Sequence, residues 1–108
     1  MSAVPDDPRI SAVDETVTCW PDVKAKGVFG HRGYVRGHAM FGFLADGGIA
    51  VKLVTGMNAG EIFARDGVAA FTYNERPMTG WPVLPVRDDA EMDAAIELLH
   101  VAWEAVAP

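Results

Sequence analysis

The sequence predicts an α+β fold: an antiparallel sheet of four to five strands, packed in two layers against N-terminal, middle and C-terminal helices. Three observations carry this. Apolar residues recur at helical spacing near both ends of the chain, as Ile10, Val13, Val17 and Trp20 and as Met92, Ile96, Leu99, Trp103 and Val106. Between them, residues 28–54 hold the densest alternation of β-forming side chains around the turn Asp46-Gly47, whose residues both tolerate positive φ. Strands joined by turns this tight must run antiparallel.

Each element has a local cause. Asp6-Asp7-Pro8 opens a helix over 8–19, with Asp7 capping free amides and Pro8 at the first helical position. Pro21 ends it by pushing its predecessor out of the α region. A first strand covers 24–29, with Ala25, Gly27 and Phe29 on one face. Gly30-His31-Arg32-Gly33 reads as a loop, Tyr34-Val35-Arg36 as a short strand, and Gly37 as a bulge or turn. In the strand over 38–45, strict alternation puts Ala39, Phe41, Phe43 and Ala45 on one face and His38, Met40, Gly42 and Leu44 on the other. Ile49, Val51 and Leu53 form the inward face of the return strand, and Lys52 points the other way. Asn58 caps a short middle helix that buries Ile62 and Phe63 and ends at a left-handed Gly67. Residues 70–73 are extended and 74–77 turn. Pro82 and Pro85 confine a strand over 81–86 to an edge or a strand start. Asp88-Asp89-Ala90-Glu91 places acids at the positive end of the last helix.

Composition bounds the function. The 108 residues make one domain, 1–108, and at 50% hydrophobic the chain can bury a core. No apolar run reaches the roughly 18 residues of a membrane span, and the acidic N-terminus lacks a signal-peptide pattern. The expectation is a cytoplasmic protein without a membrane partner. The single cysteine, Cys19, excludes an intramolecular disulfide and reads as a half-buried small residue, with a reactive thiol as the alternative. A net charge of −6 disfavours a general nucleic-acid binder, because phosphate contacts need Lys and Arg. The charge is uneven. Residues 24–45 carry Lys24, Lys26, Arg32 and Arg36 and no acid, whereas residues 88–108 carry six acids and no Lys or Arg.

No catalytic constellation is visible. His31, His38 and His100 lack metal-ligand spacing, so no metal and no cofactor is expected, and His31 reads as a solvent-facing loop residue. Ser2, Ser11 and Cys19 have no positioned base. The glycines of Phe29-Gly30-His31-Arg32-Gly33 match no phosphate loop and lead into a strand. The candidate binding residues are those of a basic hairpin, Lys52, Arg32, Arg36, Tyr34, His31 and His38, extended by Lys24 and Lys26. Such a patch suits an acidic peptide, a nucleotide or a nucleic-acid backbone, and the alternative is that these are the wet positions of half-buried strands. Lys52 stands apart, with small or apolar neighbours on its face and a shallow pocket expected around it.

Phe29-Gly30, Tyr34, Met40-Phe41, Ala45-Asp46-Gly47, Val51-Lys52, Gly67, Phe71-Thr72-Tyr73, Pro77-Met78 and Pro85 follow in order before an acidic terminal helix containing a Trp. This ordered set resembles the N-terminal domain of the TfoX/Sxy family. Two departures stand out. Val28-Phe29-Gly30-His31 replaces the family's Met-Phe-Gly-Gly, and Trp81-Pro82-Val83-Leu84-Pro85 replaces a tyrosine-rich strand. The related MmcQ/YjbR family shares the Met-Phe strand, the Lys-containing return strand and the late Trp. The resemblance implies an α+β domain standing alone and acting by binding without catalysis, in a regulatory or protein-binding role. Its implied partner is a protein or a second copy of the chain. The alternative is a nucleic-acid-binding regulatory domain in the MmcQ/YjbR manner.

Overall fold

The computed structural model describes residues 7–28 and 30–106. The elements run α1 (Pro8–Thr18), β1 (Val23–Val28), β2 (His31–Arg36), β3 (Ala39–Ala45), β4 (Gly48–Val51), α2 (Ala59–Ala64), β5 (Ala69–Tyr73), β6 (Arg76–Leu84) and α3 (Asp89–Ala105). The strands form one six-stranded antiparallel sheet in the order β1-β2-β3-β4-β6-β5, one strand more than the upper expectation. The α+β class is as the sequence predicts. Among the described residues no helix is long and apolar enough to cross a membrane. Phe29, expected on the β1 face with Ala25 and Gly27, lies outside the described residues, as do Asp6 and Pro108.

The helix ends follow the capping logic. Asp7 accepts from the amides of Arg9 and Ile10, Asn58 from Glu61, and Asp88 from Glu91. The helices pack on one side of the sheet. Ile10, Val13 and Val17 of α1, Ile62 of α2 and Ala95, Leu99 and Ala102 of α3 share a core with Tyr34, Phe41, Leu44, Ile49, Val51 and Leu84. A Cβ on Gly42 would collide with Leu99, so this glycine lets α3 sit close on β3.

Three expectations about the sheet are corrected. The loop at 30–33 is absent: β2 begins at His31, which pairs with Val28 of β1. Alternation along β3 is broken by a bulge. Tyr34 pairs with Gly42 and Val35 with Met40, leaving Phe41 as the extra residue. Phe41, Gly42 and Leu44 therefore face the helices, while Met40, Phe43 and Ala45 belong to a second cluster on the opposite face. Finally, the strand holding Pro82 is interior. Residues 74 and 75 have φ of 51° and 64°, making a two-residue turn that leaves Arg76 and Pro77 in β6. β6 tolerates its prolines because it pairs with β4 only at Ile49↔Leu84 and Ala50↔Val83, and because Pro77 and Pro82 face Thr72 and Ala70 across a ladder interrupted by a register shift.

Candidate functional site

The sequence-predicted residues divide between the two faces of the sheet. Arg32, Tyr34 and Arg36 point to the helices. Tyr34 is fully buried, and its hydroxyl donates to Asp14 Oδ1 at 2.6 Å. Arg32 Nε donates to the same oxygen at 2.7 Å, and Nη2 reaches Oδ2 at 3.5 Å. Burial, reinforced by the bond to Asp14, pushes the Tyr34 phenol far above its ordinary value. The bond to Asp14 likewise raises the Arg32 guanidinium. Asp14 was not among the sequence candidates, yet it was detectable: it falls with Ile10, Val13 and Val17 on the apolar stripe of α1.

Arg36 is engaged by α3. Its Nη1 donates to the Trp103 carbonyl at 2.9 Å and its guanidinium lies 3.9 Å from the Trp103 ring centroid. Arg36 Nε is buried without a hydrogen-bond partner among the described residues. The Trp103 ring contacts Trp20 and His100, and its Nε1 donates to the Pro21 carbonyl at 3.0 Å. Arg32, Tyr34 and Arg36 thus tie the sheet to α1 and α3.

The other face is built differently. Phe43, Ala45, Ala50 and Phe71 form a cluster ringed by Met40, Met78, Trp81 and Val83, all of them strand residues. Phe43 meets Phe71 edge-on at 4.8 Å and Trp81 at 5.4 Å. His31 stacks on Phe43 at 6.0 Å and meets Phe71 edge-on at 5.8 Å. His31 is on β2 and Phe71 on β5, with three strands between them in the sheet. The sheet curls far enough to bring these rings together and so buries the floor of its own concave face. His31 is accordingly a partly buried floor residue and not the solvent-facing loop histidine expected.

Lysines rim this face. A Cβ on Gly33 would meet Val28, so both look to the side on which His31 stacks. Lys26 and Lys24 follow Val28 at period two and pair with Gly33 and Val35. Both are exposed. Lys52 follows β4, continues the ladder by donating its amide to the Phe41 carbonyl at 3.0 Å, and alternates to the side of Ala50. It is partly buried. Among the described residues none of the three lysines has an ion-pair partner.

The acids are segregated by layer. No strand contains an acid, while Lys24, Lys26, Arg32, Arg36 and Arg76 lie in strands. The helices and their caps carry Asp7, Asp14, Glu15, Glu61, Asp88, Asp89, Glu91, Asp93, Glu97 and Glu104. This division is invisible in the net charge.

His38 is exposed on the turn between β2 and β3, apart from both clusters. His100 is on α3, where its Nδ1 lies 2.9 Å from Glu104. Cys19 is exposed at the end of α1, contrary to the half-buried position expected, because the helix stops just before it. Among the described residues no group of His, Cys, Asp or Glu is placed to hold a metal ion. No family model, curated protein or solved structure matches the chain.

Proposed function

We propose that this chain is a non-enzymatic binding domain, TfoX N-terminal-like in type, whose concave sheet face receives an acidic protein segment carrying apolar side chains. The observation that carries this reading is the set of exposed or half-buried lysines, Lys24, Lys26 and Lys52, around an apolar floor on an acid-free sheet. A carboxylate-bearing segment would gain charge-assisted contacts at the rim and bury apolar side chains on Met40, Met78 and Trp81. Arg32 and Arg36 drop out of the docking set, because both are committed to the helix layer.

The nucleic-acid reading is less well supported. Stacking of bases needs open ring faces, and the buried Phe43 and Phe71 rings pack against each other. An amide-resolved NMR titration distinguishes the readings. The probes are a synthetic peptide alternating Glu with Leu and an oligothymidylate. The proposal expects the peptide to shift the amides of Lys24, Lys26 and Lys52 and the oligothymidylate to leave them in place. Binding of the oligothymidylate alone would replace it with the nucleic-acid reading.

A further inference from the structure

Among the described residues the sheet ends in two edge strands, β1 and β5, and they are not alike. β1 carries Lys24 and Lys26, and lysines on an edge strand oppose pairing with a second copy, because antiparallel self-pairing sets like charges together. β5, at the other end of the strand order, reads Ala69-Ala70-Phe71-Thr72-Tyr73 and has no charge and no proline. Among the described residues no strand lies beyond it.

The backbone of β5 is set for pairing. Asn74-Glu75 is a two-residue turn with positive φ at both positions, so its flanking residues, Tyr73 and Arg76, form the hydrogen-bonded pair that closes the hairpin. Ladder alternation then makes Thr72↔Pro77 a non-bonded pair, which suits a proline, and turns the Thr72 amide and carbonyl toward the open edge. Ala70 faces Pro82, which also has no amide hydrogen to offer.

We infer that β5 is a self-association edge: two copies pair their β5 strands antiparallel about a two-fold axis beside Phe71, with Ala70 and Thr72 of each chain bonded to Thr72 and Ala70 of the other. The pairing is isologous and closed, and it joins the two sheets into one. It uses neither the lysine rim nor β1, so it stands independently of the docking reading.

Sedimentation velocity over a concentration series tests it on the intact protein. The expected result is a concentration-dependent species of twice the 11.6 kDa chain mass. Thr72→Pro removes the outward amide where the domain does not use it, and Thr72→Lys gives β5 the protection β1 already has. Both variants are expected to sediment as monomers with an unchanged circular dichroism spectrum. A wild type that is monomeric throughout overturns the inference. So does a dimer that survives Thr72→Lys, and so does growth beyond the dimer, which would mean head-to-tail pairing of β1 with β5.

Discussion

The Tyr34 hydroxyl and Asp14 Oδ1 lie 2.6 Å apart inside the interface between β2 and α1, and Arg32 donates to the same carboxylate oxygen. One acid on a helix thus satisfies the phenol of a fully buried tyrosine and pairs with the Arg32 guanidinium. Asp14→Ala removes the acceptor and leaves the Tyr34 hydroxyl buried, at an expected cost of about 2–4 kcal/mol. Tyr34→Phe leaves Asp14 with Arg32 and costs about 1 kcal/mol. Urea unfolding of both variants checks the order. Equal losses would mean that the hydroxyl, not the acid, is the centre of the network.

Arg36 joins β2 to α3 through the Trp103 carbonyl and ring. Arg36→Met keeps an apolar stem of similar length and removes both interactions. The expected loss is about 1–2 kcal/mol, with a change in tryptophan emission as the ring loses its cation. Unchanged emission and stability would show that the stem alone packs there.

Gly48 pairs with Ala45 at the start of β4, and a Cβ there would run into the Leu84 backbone. Gly48→Ala must push β4 away from β6 beside one of their few pairing positions, Ile49↔Leu84, and we expect a loss of about 1–3 kcal/mol. Gly47, next in the turn with φ of 81°, has open space around a Cβ. Gly47→Asn keeps a residue that tolerates this conformation, so its loss should be the smaller of the two. Thermal unfolding of the pair gives the comparison.

Arg87 clamps Glu91 at the start of α3 with both its side chain and its amide, and these bonds lower the Glu91 carboxyl from its ordinary 4.5 to about 2. A value lowered in the folded state adds stability that is present above 4.5 and lost as pH falls toward about 2. Glu91→Gln should flatten the acid dependence of stability in that window. A carbon-detected titration of Glu91 should show the midpoint directly, rising as salt screens the pair.

Much of the fold was legible from the chain because its signals are local. Asp7, Asn58 and Asp88 cap the helices that the apolar spacing predicts, and Asp46-Gly47 turns where expected. The misreadings came from tertiary effects. A bulge at Phe41 puts Phe41 and Phe43 on opposite faces of the sheet without leaving a mark in their alternation. Pro82 signals an edge strand or a strand start, yet β6 is interior because pairing is broken around it. For the site, the basic run was visible but its division was not. Arg32 and Arg36 look like Lys24 and Lys26 in sequence, and only the register shows that they meet Asp14 and Trp103, far away along the chain. The ring cluster of His31, Phe43 and Phe71 depends on sheet curl, which no local pattern encodes.

The central claim is that the lysine rim of the concave face, and not the arginines beneath it, carries binding. Titration of the Glu–Leu peptide into the double variant Lys24→Glu, Lys26→Glu, beside the wild type, tests it most directly. The account predicts that the wild type binds, with shifts at Lys24, Lys26 and Lys52, and that the double variant keeps its fold and loses binding by at least about tenfold, roughly 1.4 kcal/mol. Binding of equal strength in the two proteins would contradict it.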